Sequence, residues 1–240
     1  MNYAIVTPVW KPVLDKGETE NVSFSLDNAG SVAHYFVHPA SLDVAHYRRA
    51  YPNSDFIALD DRHFKSIPAY SRMMLTNGFY LPFRGHEGIV ICQTDAVMLS
   101  ALPGHVANFD YLGAPWRRPF RLNRARVEGR RRLGWVLATM GVGQLAHVGN
   151  GGLSWRRIQP FCSVEQLLVR AGVRRPSINE DLIVAYLGAR GLLRIPAADV
   201  ARAVFMEEDA AGLTDIPAVA GFHALDKFNP LLRAKLMRHP

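Results

Sequence analysis

The sequence predicts an α/β fold in which a mostly parallel central sheet is flanked by helices. Short apolar segments rich in β-branched residues alternate along the chain with segments whose apolar residues recur at helical spacing. The segment 88–92 (Gly-Ile-Val-Ile-Cys) has the composition of a strand that is covered on both faces. Gln93, Thr94 and Asp95 follow it directly, at the edge where open α/β sheets bind their ligands.

The first part of the chain is predicted to supply three further strands. These strands span residues 3–9, 32–37 and 56–59. The first ends in a Pro-containing loop, the second is followed by a His-Pro pair and the third by an Asp-Asp pair. Helices are predicted at 18–29, 41–51 and 66–80. Arg72 lies in the last of these helices and has two open interpretations, because periodicity fits a solvated arginine as well as one that points toward the strand ends.

The second part of the chain continues this alternation with shorter elements. Residues 109–116 are predicted to form a short edge strand that runs into a rigid aromatic turn, and Ser163 with Gln166 matches a capping box. Helices are predicted at 163–171, 182–187, 196–203 and 228–239, a strand at 204–206, and a loop or strand at 221–225. Since no internal repeat or clean linker interrupts the pattern, a single domain over residues 1–240 is expected.

The composition is that of an ordinary globular protein. Apolar residues make up 49% of the 240 residues and charged residues 20%, so the chain can bury a sizeable core. No stretch approaches the roughly 18 apolar residues of a membrane span, and the first residues lack a signal-peptide pattern. With two cysteines far apart, Cys92 and Cys162, the chain is expected to work in the reducing cytoplasm.

The net charge of +7 comes from one segment. Residues 117–132 contain eight arginines and one acid, Glu128, whereas the other 20 basic and 20 acidic residues cancel. A local cluster predicts a partner of complementary charge rather than a general effect on solubility. Trp116, Phe120 and Trp135 lie around the segment and favour an ordered role, with a solvated, partly disordered loop as the alternative.

Two polar segments in the second half are candidates for a ligand site. Gly149, Gly151 and Gly152 lie within four residues, and glycines let a backbone approach a ligand closely or adopt positive φ. The segment taken alone favours a different interpretation, a hairpin turn of the Asn-Gly type. Glu180 and Asp181 begin an apolar helix, where acids ordinarily complement the helix macrodipole.

Several enzyme classes are disfavoured by motifs that the sequence lacks. No Gly-x-x-x-x-Gly-Lys-Ser/Thr loop occurs, and no Gly-x-Gly-x-x-Gly follows the first strand, which argues against P-loop enzymes, kinases and nicotinamide dehydrogenases. The lack of Gly-x-Ser-x-Gly argues against a serine hydrolase, and the cysteines and histidines are not spaced as in zinc fingers.

Six short pieces of the sequence occur together in a recognisable order. They are 70–75 (YSRMML), 93–96 (QTDA), 110–116 (DYLGAPW), 148–154 (VGNGGLS), 179–181 (NED) and 222–223 (FH). In this order the chain resembles bacterial glycosyltransferase-like proteins of the GT-A type, a family long labelled as a domain of unknown function. The resemblance implies one GT-A-like, Rossmann-like domain, with residues 1–112 as a nucleotide-binding half and 113–240 as an acceptor-side half that carries the arginine-rich insertion 117–132.

The resemblance also implies roles for single residues. Asp95 matches the last aspartate of the Asp-x-Asp motif that holds a divalent metal on the donor diphosphate, and His223 matches the late histidine of the metal shell. Asp181, more than Glu180, matches the catalytic base of inverting members. The positions implied to lie against the donor are Thr7, Pro8, Val9, Lys11, Asp60, Arg72, Gln93, Thr94, Asp95, Gly149, Asn150, Gly151 and Gly152.

One position departs from the family pattern. Gln93 stands where the first acid of Asp-x-Asp is expected, and an amide cannot neutralise a cation. One carboxylate together with diphosphate oxygens can still form the core of a site for a hard cation. The expected cofactor is therefore Mn²⁺ or Mg²⁺, with weaker metal binding or a metal-independent variant as open alternatives.

The function expected from this resemblance is glycosyl transfer. A nucleotide-diphosphate sugar, first of all a UDP-sugar, would donate to a glycan or lipid-linked acceptor with inversion, in surface polysaccharide or glycolipid assembly. The arginine segment 117–132 would face anionic groups of the acceptor or the anionic inner face of a membrane. A non-catalytic nucleotide-sugar binder is one alternative. A polyanion-binding protein that holds nucleic acid through the arginines is another, although no recognition motif supports it.

Overall fold

The computed structural model of the protein describes residues 1–238, and these residues form eleven strands and twelve α-helices. The strands are β1 (Tyr3–Pro8), β2 (Ala33–Pro39), β3 (Asp55–Leu59), β4 (Gly88–Cys92), β5 (Ala96–Met98), β6 (Tyr111–Gly113), β7 (Pro115–Leu122), β8 (Gln144–Val148), β9 (Leu153–Arg157), β10 (Phe205–Met206) and β11 (Gly221–His223). The helices are α1 (Lys16–Asn28), α2 (Ala45–Ala50), α3 (Ile67–Met73), α4 (Asn77–Tyr80), α5 (Arg124–Val127), α6 (Arg131–Thr139), α7 (Ile158–Phe161), α8 (Val164–Arg170), α9 (Glu180–Ala189), α10 (Ala198–Arg202), α11 (Leu225–Phe228) and α12 (Pro230–Leu236).

The central sheet has six strands in the order β3-β2-β1-β4-β9-β6. Strands β1 to β4 pair in parallel, so their carboxyl ends lie at one edge of the sheet. Strand β9 lies antiparallel between β4 and β6. The predicted α/β fold, with a mostly parallel sheet flanked by helices, is confirmed.

Alternate residues of β4 pack on opposite faces of this sheet. Ile89 and Ile91 belong to one apolar cluster, which also contains side chains of α3, α8 and α9. Val90 and Cys92 belong to a second cluster, which includes Trp155. A strand that is covered on both faces needs an unbroken apolar sequence, and this explains the composition of residues 88–92.

Two smaller sheets extend the domain beyond the carboxyl edge. One has the order β10-β11-β5, in which β11 runs antiparallel to β5. The other is the antiparallel pair β7-β8. The predicted edge strand is β6, but β7 follows it after one residue where an aromatic turn was expected. The arginine-rich segment is ordered as β7, α5 and the start of α6, so the alternative of a solvated loop is wrong.

Several helix bounds differ from their predictions for local reasons. The predicted helix 66–80 is divided into α3 and α4, because the Thr76 hydroxyl donates to the Met73 carbonyl at 2.7 Å and competes with the backbone ladder. Ser163 makes no side-chain cap bond at the start of α8. The predicted helix 228–239 starts instead at Pro230, a favourable first helical residue, and His239 lies outside the described residues. None of the described helices is both long enough and apolar enough to cross a bilayer.

Candidate active site

A cavity of about 560 Å³ opens at the carboxyl edge of the parallel strands. This volume lies within the usual range for small-molecule sites. Segments far apart in sequence form its wall: the loop after β1, the start of α3, the end of β4, the glycine segment and the start of α9. The predicted site residues that line it are Gln93, Asn150, Gly151, Gly152, Glu180, Asp181 and His223.

Strands β5 and β11 bring Asp95 and His223 together. In their antiparallel register His223 lies opposite Ala96, and the N–H of Ala224 donates to the Asp95 carbonyl oxygen at 3.0 Å. Nε2 of His223 consequently lies 3.3 Å from Oδ1 of Asp95. The two residues that the family resemblance assigned to one metal site are therefore neighbours.

Glu207 joins this pair to the glycine segment. One of its carboxylate oxygens lies 2.9 Å from Nδ1 of His223, and the other accepts a hydrogen bond from the side-chain amide of Asn150. The Asn150 side chain also accepts the N–H of Gly152 at 2.9 Å. Sequence reasoning missed Glu207, although it follows the predicted strand 204–206 as Asp95 follows β4, and that placement could have identified it.

The charges of this cluster support one another. Burial disfavours the imidazolium form of His223, but the carboxylates of Asp95 and Glu207 outweigh burial and raise the pKa of His223 to about 9. Burial likewise opposes ionisation of Asp95, yet the adjacent His223 holds the pKa of that carboxyl below its usual value. At neutral pH the cluster therefore contains an anionic Asp95 beside a cationic histidine, and a metal ion could bind Nε2 of His223 only once that nitrogen has lost its proton.

The arrangement fits a divalent cation through two side chains. Nε2 of His223 is buried and makes no aligned hydrogen bond to any described residue, and the half-exposed carboxylate of Asp95 lies beside it. Glu207 on Nδ1 fixes the ring orientation, as carboxylates commonly do for metal-binding histidines. Within residues 1–238 no group of three or more His, Cys, Asp or Glu side chains could hold a metal ion. A cation here would need further oxygen ligands from a diphosphate or water.

The glycine segment 149–152 crosses between two sheets. Strand β8 before it pairs with β7, whereas β9 after it pairs with β4 and β6, so the Asn-Gly hairpin interpretation is wrong. A Cβ atom on Gly152 would lie 2.0 Å from Nε2 of His223, and one on Gly151 would lie 2.4 Å from Oε1 of Glu180. These glycines are needed because functional side chains approach the backbone, and neither has positive φ.

Arg156 lies fully buried beneath the cavity and fixes Glu180. Its guanidinium donates to Oε1 of Glu180 at 3.2 Å, to the Tyr80 hydroxyl at 2.9 Å and to the Ser154 hydroxyl at 3.2 Å. The Ser71 hydroxyl donates to the other Glu180 oxygen at 3.0 Å. Both oxygens of Glu180 are thus engaged inside the fold.

Asp181 lies on the cavity wall in the first turn of α9. Its Oδ1 accepts the N–H of Leu182 at 2.7 Å. Burial, and next the repulsion from the Glu180 carboxylate, raise the pKa of Asp181 to about 7. At neutral pH this carboxyl is therefore divided between its acid and base forms, a property typical of groups that transfer protons.

None of the other predicted donor-binding residues lines the cavity, and these include Gly149 and also Asp95, which contacts His223 of the cavity wall. Thr7, Pro8 and Val9 are buried at the end of β1, where the Thr7 hydroxyl lies 3.0 Å from a ring nitrogen of His34. The Lys11 ammonium and the Thr94 hydroxyl both bond to the Glu18 carboxylate, at 2.8 and 2.9 Å.

Asp60 and Arg72 also lie away from the cavity wall. Asp60 accepts the N–H of Arg62 at 2.9 Å and begins a short 3₁₀ turn. Arg72 is exposed while its neighbours Tyr70 and Ser71 line the cavity, so its solvated interpretation matches the structure. Donor binding by this second group of residues stays a prediction.

Other residues of the cavity wall were not singled out from the sequence. Trp10 follows β1 and presents a half-exposed ring, and Lys65 and Ser66 precede α3. The place of Trp10 just after β1 is a usable signal, because the carboxyl ends of parallel strands meet at one edge, whereas Lys65 and Ser66 are separated from β3 by the 3₁₀ turn Asp61–Phe64.

A comparison with family models matches residues 53–218, more than half of the chain, to the family described as "Protein of unknown function (DUF5672)". The chain belongs to this family. No curated protein matches the sequence of this DUF5672 member.

Among solved structures, the galactosyltransferase LgtC in complex with donor and acceptor sugar analogues resembles this chain with a TM-score of 0.53. The similarity covers 92% of this chain and 86% of that one, at 13% sequence identity. Core-mannan synthase A from Aspergillus fumigatus, in an Mn/GDP form, has a TM-score of 0.48 at 10% identity over 84% of this chain and 72% of its own. The bifunctional glycosyltransferase WbbM has 0.46 at 12% identity over 99% and 43%. At such identities the first match shows a shared glycosyltransferase-like, GT-A fold and nothing more.

Proposed function

We propose that the protein is a glycosyltransferase that moves a sugar from a nucleotide-diphosphate donor, with a UDP-sugar as first candidate, to a glycan or lipid-linked acceptor. The observation that carries the proposal is the cavity at the carboxyl edge, where Asp181, with its pKa near 7, shares one wall with His223 and the glycine segment. A partly buried carboxyl with a pKa near neutral pH, in the same cavity as His223 of a candidate phosphate-binding pair, suits acid–base chemistry on a charged substrate.

The donor diphosphate would lie against Asp95 and His223. These two side chains would hold a divalent cation, and the cation, when bound, would neutralise the diphosphate and so stabilise the leaving group. Glu207 would keep the His223 ring in place through Nδ1. Gly151 lies so close to Glu180, and Gly152 so close to His223, that neither position has room for a side chain.

Asp181 would act as the base. The acceptor hydroxyl oxygen attacks the anomeric carbon as the bond from that carbon to the diphosphate breaks, and the hydroxyl proton passes to the Asp181 carboxylate. Such a direct displacement inverts the anomeric centre. Glu180 is unsuited to this role, because Arg156 and Ser71 occupy its oxygens, so it acts by holding the start of α9.

The two halves of the chain would divide the work. Trp10, Lys65 and Gln93 line the cavity from residues 1–112, the proposed nucleotide-binding half, while Gly152 and Asp181 line it from residues 113–240, the proposed acceptor side. Assembly of surface polysaccharide or glycolipid in a bacterial cytoplasm is the proposed setting.

Thermal unfolding with a panel of nucleoside diphosphates, each with and without Mn²⁺, tests donor binding. A ligand at about 100 times its dissociation constant adds roughly 2.7 kcal/mol, a shift of roughly 5 to 10 °C for a chain of this size. We expect a shift with one diphosphate that needs Mn²⁺ and is lost in Asp95→Asn. Asp27→Asn, a change of an exposed aspartate on α1, is the matched control and should keep the shift.

The outcomes separate the proposals. A shift of the unfolding temperature without Mn²⁺ would support the transferase proposal but contradict the proposed role of the metal. No shift with any nucleotide would contradict nucleotide-sugar binding. Release of nucleoside diphosphate from a sugar donor that binds, lost in Asp181→Asn, would separate an enzyme from a non-catalytic binder.

A further inference from the structure

The segment 117–145, which consists of the arginine-rich insertion and the residues that follow it, exposes an unusual number of apolar side chains. Fourteen large apolar residues are exposed in the described chain, and six of them lie between positions 133 and 145. These six are Leu133, Trp135, Val136, Met140, Val142 and Leu145. Trp135 is 67% exposed and Met140 72%, so they do not merely border the core. Concentrated exposed apolar surface of this kind marks an interaction site.

The orientation of α6 places this apolar surface outward. Gly134 is the buried residue of the helix, and a Cβ atom there would lie 2.7 Å from the backbone of Arg126. The Asn123 side chain donates to the Gly134 carbonyl at 2.9 Å and fixes the same side of the helix to the protein. A surface helix normally turns its apolar side to the core, whereas α6 turns Trp135 and Val136 to solvent.

The arginines of the insertion fall into two groups. Arg121 and Arg126 donate to backbone carbonyls at 3.1 Å, which fixes the insertion internally. Arg117 and Arg124 form surface ion pairs with acids. The third set has exposed side chains that make no ion pair or hydrogen bond with any described residue: Arg118, Arg130, Arg131 and Arg132.

The one acid of the insertion is already engaged. The Glu128 carboxylate pairs with Arg124 at 3.4 Å and accepts the N–H of Arg174 at 3.0 Å. No acid within 117–145 therefore neutralises the four free guanidinium groups. They are complementary to an anionic surface outside the chain.

We propose that these residues form a docking face for an anionic lipid bilayer. The docking face consists of Arg118, Arg130, Arg131 and Arg132 with Leu133, Trp135, Val136, Met140, Val142 and Leu145. Its apolar side chains would insert at the boundary between headgroups and acyl chains while the guanidinium groups pair with lipid phosphates, as in interfacial helices that carry arginine with Trp and Leu.

Charge and composition favour a bilayer over other occupants. A second copy of the chain would bring eight unneutralised guanidinium groups against one another, which is repulsive. A nucleic acid would use the arginines but would leave Leu133, Val136 and Met140 exposed, because non-planar aliphatic side chains do not stack on bases as aromatic rings do. The inference goes beyond the proposed function and does not depend on it, since none of the docking-face residues lines the active-site cavity.

Cosedimentation of the full chain with vesicles tests the proposal. One set contains phosphatidylcholine alone and the other contains added phosphatidylglycerol. We expect binding to the anionic vesicles only, weakening as salt is raised. Replacing Arg130, Arg131 and Arg132 together by Gln should weaken it roughly a hundredfold, since each basic residue adds about a factor of five. The double variant Trp135→Ser, Val136→Ser should weaken it by about tenfold or more.

Matched controls separate the docking face from the rest of the surface. The side chains of Arg48, Arg49 and Arg238 are exposed and form no ion pair or hydrogen bond with any described residue, and their joint replacement by Gln should leave binding within about twofold, because they lie outside the segment 117–145. Val169→Ser with Leu231→Ser removes two apolar side chains that are 75% and 83% exposed elsewhere. Circular dichroism and the unfolding midpoint confirm that each variant is folded.

Tryptophan fluorescence supplies a second readout. Anionic vesicles should shift the emission to the blue, and the shift should be absent in Trp135→Phe while sedimentation persists. Lack of binding to anionic vesicles, or binding that the control triple weakens as much as the Arg130–132 triple, overturns the proposal. The proposal is also overturned if the Arg130–132 triple variant loses binding while the Trp135/Val136 double variant binds as well as the native protein, because a site for any polyanion would give that result. A dimer that forms through this face without vesicle binding would replace it with self-association.

Discussion

Two regions of the molecule use arginine in opposite ways. Arg156 is fully buried beneath the candidate active site, and three of its donors are engaged by Glu180, Tyr80 and Ser154. In the insertion, Arg118 and Arg130 to Arg132 are exposed and without partners among the described residues. The buried arginine has its counter-charge within the chain, whereas the exposed arginines leave theirs to be supplied from outside.

The difference shows that local charge density alone does not locate a functional arginine. The segment 117–132 attracts attention in the sequence because eight arginines lie close together, yet two of them only brace the insertion. Arg156 lies in strand β9 between Trp155 and Arg157, and it determines which of two neighbouring acids is free for chemistry. The surroundings of each guanidinium group determine its role, and the role of each arginine can be tested by replacing it with Gln.

The largest expected effect is that of Arg156→Gln. It leaves the Glu180 carboxylate buried without its cation, and breaking a buried pair in this way costs about 3–5 kcal/mol. Chemical denaturation of the variant and of Arg132→Gln measures the contrast. The double variant Arg156→Gln, Glu180→Gln should recover part of the loss. If Arg156→Gln were as stable as Arg132→Gln, the claimed difference between the buried and the exposed arginines would be wrong.

Asp181→Asn should separate activity from stability. We expect transfer to fall by about 10²- to 10⁴-fold, the usual contribution of a positioned base. In the native protein the rate of the proposed transfer should rise with pH through about 7, as Asp181 loses its proton.

Stability should change in the opposite direction. The pKa of Asp181 is raised in the folded protein, so the folded state binds the proton more tightly than the unfolded chain and loses stability as pH rises from about 4 to about 7. Asp181→Asn should therefore be more stable than the native protein at pH 8, by on the order of a few kcal/mol, with the gain vanishing near pH 4. Denaturation at both pH values measures this, and an equal difference at both would refute the raised pKa.

Gly152→Ala tests whether the glycine segment is part of the site or only a connection. Its Cβ would overlap the His223 ring, so the histidine must move away from Asp95 at a cost of about 1–3 kcal/mol. Thermal unfolding should show that loss, and any Mn²⁺-dependent nucleotide shift should disappear with it. Gly78→Ala is the control, since nothing lies within 4 Å of the added atom. If Gly152→Ala and Gly78→Ala have the same stability and the same nucleotide shift, the glycine segment only connects two strands and is not part of the site.

The smallest expected effect belongs to the exposed arginines. Joint replacement of Arg130, Arg131 and Arg132 by Gln should change the free energy of unfolding by less than about 0.5 kcal/mol, because surface side chains without partners contribute little. Denaturation at low and high salt measures it. A large loss would show that these arginines, like Arg156, have a counter-charge within the fold.

The parts of the site that follow strand ends could be predicted from the sequence. Gln93 and Asp95 come after an apolar run that only a doubly covered strand explains, and this places them at the carboxyl edge. The pairing of Asp95 with His223 has no such local cause, because it depends on strands β5 and β11, which are distant in sequence. The resemblance to a family supplied that pairing, and the residues alone did not.

Other features lay beyond local reasoning for a similar reason. The glycine segment has the composition of a hairpin, and only the different partners of β8 and β9 show that it is a crossing between sheets. The preference for Asp181 over Glu180 depends on Arg156, which fixes Glu180 from a strand of the central sheet. Propensity describes neighbours in sequence, whereas these roles are set by neighbours in space.

The late position of His223 has a consequence for biosynthesis. All six strands of the central sheet have been translated once Arg157 is added, but β11 is made much later. At about 5–20 residues per second, the strands of the sheet are synthesised several seconds before His223. Synthesis of the scaffold strands and synthesis of the last site residue are thus separate events during translation, and the histidine comes last.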